Sequence, residues 1–165
     1  MRAAPAPDGF SDWPALLALI LRAFRYMDGV IDPPSSAHRL SVDSLRDRAA
    51  AEHLYLVGTD PILACAFFAE QPDALYIGKL AVDPSQQGRG LGRALVAEAE
   101  ALARRLGLPR LRLETRIELT GNHAAFARMG FVRTAEKAHP GFDRTTSITM
   151  EKPLDIGSRA HIFCA

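Results

Sequence analysis

Apolar positions along this chain recur with two different periods, and the switches between them outline the elements. Behind Ser11 or Asp12 as a cap, with Pro14 in the first turn, "WPALLALILRAF" carries apolar residues at helical spacing and predicts a first helix, stopped at Asp28-Gly29. "DGVIDPPSSAHRLS" is rich in Asp, Pro and Ser and reads as a loop; Ser41 or Asp43 then caps a short second helix running to Ala50. From there the period shortens. "HLYLVGTDPILACAFFAE", broken at Gly58-Thr59-Asp60-Pro61, predicts a hairpin of two antiparallel strands, and "ALYIGKLAV" predicts the next strand. Helical spacing returns with Leu91, Leu95, Ala99, Leu102 and Leu106, ended by Gly107. "RLRLET" alternates as a strand, "TGNHAAFARMGF" is a short helix closed by Gly130, and "FVRTAEKA" and "TTSITMEKPL" are two further strands around the turn "HPGFDR". Residues 155–165 show no clear period and are taken as a tail to one domain over 1–154. "MRAAPAP" makes a poor strand.

Between the strand "ALYIGKLAV" and the following helix lies the densest chemistry. Gly88, Gly90 and Gly92 alternate where the helix begins, leaving backbone N–H groups free to face a ligand. Open amides and the positive end of a helix dipole favour an anion, and Arg89 and Arg93 add charge at the rim. A P-loop is excluded, because no Gly-Lys-Ser/Thr occurs in the chain. The dinucleotide fingerprint fails by one position, since the third glycine falls at Gly92 and Arg93 stands where it should be. Gln87 to Gly92 fits Gln/Arg-x-x-Gly-x-Gly/Ala instead. Preceded by "LAVDPSQ" and followed by a long apolar-periodic helix, this hexapeptide resembles the pyrophosphate-binding signature of the GNAT superfamily of acyl-CoA-dependent N-acetyltransferases.

Composition narrows the setting. With 165 residues, 48% hydrophobic and 24% charged, the chain suits one globular domain, and a net charge of +1 with scattered basic residues gives no footprint for nucleic acid. Cys65 sits in an apolar run and Cys164 is next to last, a pattern of a buried thiol and a loose one rather than a disulfide framework. No secretory pattern and no membrane-length apolar run is seen, so the expectation is a cytoplasmic protein without membrane partners. No histidine pair has metal-ligand spacing, and no metal is expected.

The resemblance implies a mixed α/β fold: a central, largely antiparallel sheet with helices on both faces and a β-α-β core that binds acetyl-CoA, the acetyl donor to an amine substrate. It further implies that Leu80, Ala81 and Val82 hold the pantetheine like an added strand, with the Leu80 amide facing the thioester oxygen. Gln87, Gly88, Arg89, Gly90, Leu91, Gly92 and Arg93 take the pyrophosphate, and Asn122 contacts the cofactor or else only caps its helix. The family's tyrosine, proposed as acid for the departing thiolate, falls on Phe126, so that role does not carry over although the position still borders the cofactor.

Read from the chemistry alone, an alkyl amine of pKa about 10.4 needs a base at neutral pH. Glu114 on the strand after the helix, and Glu118 beyond it, are the nearest carboxylates in chain order. Tyr76 lies two pleats from Leu80, hence on the same face of its strand. Asp28, Asp32 and Asp143 are placed to attract a cationic amine or to serve as turn residues, and His139 joins them as a substrate-side candidate on its loop. The expected activity is direct N-acetylation of a primary amine, without a covalent step at Cys65. The alternatives are a non-turning acyl-CoA sensor and a transferase of longer acyl groups. An exposed sheet edge invites a homodimer.

Overall fold

A computed structural model describes residues 2–155 of the chain; Cys164 and nearly all of the segment read as a tail lie outside the described residues. The strands are β1 (Ala3–Pro5), β2 (His53–Val57), β3 (Ala64–Glu70), β4 (Leu75–Val82), β5 (Arg110–Arg116), β6 (Val132–Lys137) and β7 (Ser147–Pro153), and the helices are α1 (Trp13–Phe24), α2 (Val42–Ala51), α3 (Leu91–Leu106) and α4 (Thr120–Arg128). One sheet runs in the order β1-β2-β3-β4-β5-β7-β6. Among the described residues only β4 and β5 pair in parallel, joined by α3, so the sheet is mixed and largely antiparallel.

Local chemistry explains where the helices start. The Asp12 carboxylate accepts the Ala15 N–H at 3.2 Å, and Ser41 and Ser44 exchange side chain and backbone at the head of α2. After α1 a 3-10 turn over Arg25–Met27 carries the chain to Asp28. The loop that follows is not featureless: it holds a second 3-10 turn, Ser36–Arg39, with Ser35 as its cap. "MRAAPAP" does form a strand, though only three residues long; as an edge strand it tolerates Pro5.

Apolar side chains fill both faces. On one face α3 lays Leu91, Leu95, Val96, Ala99, Leu102 and Ala103 against Phe68, Leu75, Ile77 and Leu111; Val96 and Ala103 take the place expected for Leu106, which is 39% exposed. On the other, α1 and α2 pack Leu16, Leu19, Ile20 and Leu45 against Leu54, Leu56, Cys65 and Phe67. Those two buried clusters clamp the central strands and set β4 rigidly between them.

Candidate active site

β4 and β5 part company where the chemistry is expected. They pair only at Leu75↔Leu111 and Tyr76↔Arg112, so residues 77–82 of β4 diverge from β5 and leave a wedge in the sheet. A bulge lies in the same stretch: Phe67 opposes Gly78 and Cys65 opposes Ala81, so Ala66 alone faces both Lys79 and Leu80. Lys79 takes a left-handed φ of 50°, a conformation rare for a residue with a side chain. The extra residue reverses the alternation of the strand. Tyr76 and Gly78 share the face of α2, where Arg48 lies, whereas Leu80 packs on the cluster beneath α3. The expectation that Tyr76 and Leu80 share a face is therefore corrected, because two-residue periodicity does not survive a bulge.

A cavity of about 570 Å³ opens on this wedge. Its walls are β4 from Tyr76 to Leu80, β5 from Leu113 to Arg116, the loop and 3-10 turn between α1 and α2, and Asn122 and Phe126 of α4. Thr115 is on this wall, and its hydroxyl is buried and meets no protein partner among the described residues.

Beyond the far end of β4 comes the glycine turn. Arg22 on α1 binds Asp83 at 2.8 Å, and Asp83 in turn accepts the Ser85 N–H at 2.9 Å, fixing the chain as it leaves the strand; these partners hold the Asp83 carboxyl down at about 2. Gly88 and Gly90 both have left-handed φ, 80° and 79°, and a side chain at either would meet open space. Gly90 is the N-cap of α3 and brings no side-chain cap, and the first turn of α3 holds no acid. Among the described residues, no protein acceptor meets the amides of residues 87–93; the first helical bond is Ala94 N–H to the Gly90 carbonyl at 2.9 Å. The donors a diphosphate needs are thus present and unspent, in the turn that follows the wedge strand. Gln87, Gly88, Arg89, Gly90, Leu91, Gly92 and Arg93 do not line the cavity, nor do Ala81 and Val82, whereas Leu80 does.

Other expected residues divide. Glu114 lines the cavity but ion-pairs with Lys137 at 2.6 Å. Tyr76 lines it too; burial first, then the Glu114 charge, pushes its phenol up to about 12, which makes it a hydrogen-bond donor and not a base. Glu118 does not line the cavity: it accepts the Asp32 N–H at 3.1 Å and holds the loop. Asp28 accepts from His38 Nε2 at 2.7 Å within its own loop, and Asp32 sits 3.4 Å from Arg144 of the segment between β6 and β7; neither carboxylate lines the cavity. Asp143 does not line it either, whereas His139 does. Burial, then Arg116 and Lys137, lowers the His139 pKa, so its ring is neutral at neutral pH; Nδ1 contacts the Thr146 hydroxyl. Asn122 is not a cap, the N-cap being Leu119; its Nδ2 donates to Tyr26 Oη at 3.1 Å. Phe126 packs edge-on against Phe131. Cys65 is fully buried, and desolvation pushes its thiol up to about 12, which removes it as a nucleophile.

Sequence reasoning passed over Tyr26, Thr115, Arg48 and Lys79. Lys79 alone carried a signal, a charge in the middle of an otherwise apolar strand. Among the described residues, no group of three or more His, Cys, Asp or Glu is arranged to hold a metal ion, and no helix is long and apolar enough to cross a membrane.

The sequence model of the Acetyltransferase (GNAT) family matches residues 13–131. An "IAA acetyltransferase" of Azospirillum brasilense is 30% identical over 144 residues, covering 85% of this chain and 91% of that protein. Among solved structures, the ribosomal-protein-S18-alanine N-acetyltransferase of Escherichia coli superposes with a TM-score of 0.68 at 22% identity, over 93% of this chain and 94% of that one. A GNAT family acetyltransferase from Elizabethkingia anophelis with acetyl-CoA bound gives 0.65 at 18% identity, over 93% and 97%.

Proposed function

Because the chain belongs to the acetyltransferase (GNAT) family, we propose that it moves the acetyl group of acetyl-CoA directly to a primary amine bound in the cavity. The observation that carries this reading is the continuity of three unfilled features: the open amides of residues 87–93, the strand edge of residues 77–82 released by β5, and the cavity beside Leu80. Together they fit a diphosphate, an extended amide-bearing arm and a thioester in that order.

The thioester supplies an activated acetyl group. In this reading the amides at the head of α3 hold the diphosphate, and the edge of β4 pairs with the arm as a strand would. The bulge presents the Leu80 amide to the carbonyl oxygen, where a fixed dipole stabilises negative charge as the amine adds. His139, neutral and on the cavity wall, accepts the proton of the attacking amine. Glu114 is the poorer base, since its charge is shared with Lys137. Tyr26 supplies the donor that Phe126 lacks. Asn122 Nδ2 already fills an acceptor site on its oxygen, leaving the phenolic proton free for the departing thiolate.

The test is release of free thiol from acetyl-CoA over a panel of amines. Release above the blank with a matching N-acetyl product supports transfer; none across diverse amines argues against it. Phe126 favours a second reading, a sensor that binds acyl-CoA without turnover. Calorimetry separates the two: tight acetyl-CoA binding without amine-dependent turnover means sensing, and failure to bind any CoA species removes both. A longer acyl chain would show itself as faster turnover of that donor than of acetyl-CoA.

A further inference from the structure

The cavity wall is cationic. Arg39, Arg48, Lys79 and Arg116 line it, against a single carboxylate among the described residues, Glu114, which is itself paired with Lys137. They come from four different elements, the Ser36–Arg39 turn, α2, β4 and β5, so no single solvated charge run accounts for them.

What each cation already does leaves a remainder. Arg116 spends its fork on the Pro33 and Pro34 carbonyls, at 2.7 and 3.1 Å, and holds the loop. Lys79 gives one proton to Ser36 Oγ at 2.7 Å and has two left. Arg48 gives Nε to Glu52 at 3.1 Å and rests over the Phe67 ring. Its two terminal nitrogens meet no acceptor among the described residues, nor does Arg39. Gly78 clears the space: a Cβ there would stand 3.1 Å from Arg48 Nη2. Burial first, then Arg48, Arg39 and Arg116, lowers the Lys79 ammonium to about 8, so the group repels itself in the absence of a counter-charge.

Resting on the acetyltransferase reading, we propose that the acceptor is an amine carrying a carboxylate, and that Lys79 and the outer fork of Arg48 bind that carboxylate, with Arg39 at the mouth. A planar monoanion matches a guanidinium fork beside a point charge. The same field disfavours polycationic amines and favours the neutral form of the attacking nitrogen, which is the reactive one. Coenzyme phosphates do not compete for these groups, since the open amides of residues 87–93 lie outside the cavity.

Matched acceptors test this: amino acids against their own amides, polyamines, and phosphoethanolamine. The expected result is a kcat/KM preference of about tenfold or more for the amino acid over its amide. In Lys79→Met and Arg48→Met that preference collapses towards unity through KM. Equal or better turnover of amides or polyamines overturns the proposal, and so does a stronger preference for phosphoethanolamine. A readout free of turnover is calorimetric binding of N-acetyl amino acids, against N-acetyl amino amides, to the CoA-loaded protein. Carboxylate-selective binding lost in Lys79→Met supports the subsite even where no acetyl transfer is seen, an outcome that would sink the acetyltransferase reading alone. Transfer with no carboxylate selectivity in binding sinks the subsite alone. Thermal unfolding of both variants, with Lys79→Gln beside them, separates lost recognition from lost fold.

Discussion

Asn122 on α4 donates to the Tyr26 phenol across 3.1 Å, tying the turn after α1 to the helix that carries Phe126 one turn further on. Both residues line the cavity, which puts a phenolic hydroxyl from a different element on the same cavity as Phe126.

Tyr26→Phe should therefore lower kcat by about 10²-fold, at the lower end for a lost general acid because a thiol is already a fair leaving group. Tyr26 is 52% exposed, so stability should hardly change. Adding Phe126→Tyr to that variant should recover part of the loss. Steady-state kinetics at saturating acetyl-CoA reads both, and an unchanged kcat in Tyr26→Phe would remove the assignment.

Gly90→Asp places a carboxylate among the open amides at the head of α3. Its φ of 79° strains any side chain, but Asp tolerates this region and is also a good N-cap beside the helix dipole. We expect stability to stay within about 1 kcal/mol of wild type, while acetyl-CoA affinity falls by about tenfold or more. Calorimetry and denaturant unfolding on the same samples decide it; equal loss of both would mean that the glycine serves the backbone alone.

His139 should show itself in the pH profile. Its lowered pKa keeps the ring neutral down to below the ordinary imidazole value of 6.5. With an acceptor amine of low pKa, kcat/KM should stay level through pH 6.5 and fall only as the pH drops through that lowered value. In His139→Ala the acid limb should disappear along with most of the rate. A limb that persists in the variant would point to another base.

Lys79 makes a prediction about stability. In the unfolded chain its ammonium titrates near 10.5, in the folded one near 8, so between these values the unfolded state binds more protons. Stability contributed by this group therefore rises as the pH climbs from about 8 to about 10.5 and is flat below. The difference in unfolding free energy between wild type and Lys79→Met should move in favour of wild type over that window. No pH dependence of the difference would mean that Lys79 is not held in the wedge.

Much of this protein can be read from local pattern. Helix spacing with Asp12 and Ser41 as caps, the apolar run of β3, the alternation of β5, and the three spaced glycines each depend on residues within one turn or one pleat of each other. Such short-range chemistry located α1 to α4, six of the seven strands and the glycine turn. Ala3–Pro5 escaped because its only warrant is the neighbouring β2. Packing across the sheet decided the rest. The bulge at Lys79 and Leu80 arises from how β4 meets β3, and it reversed the face assigned to Leu80. Asp28, Asp32 and Glu118 looked free along the chain, but their partners stand 10, 112 and 86 positions away, and those pairings removed them from the cavity. Tyr26, Arg48 and His139 are far apart in sequence, and folding alone set them around one cavity. Charge and hydrogen bonding act through space, so a sequence can state which groups exist, while only the folded chain determines which of them still have a partner to find.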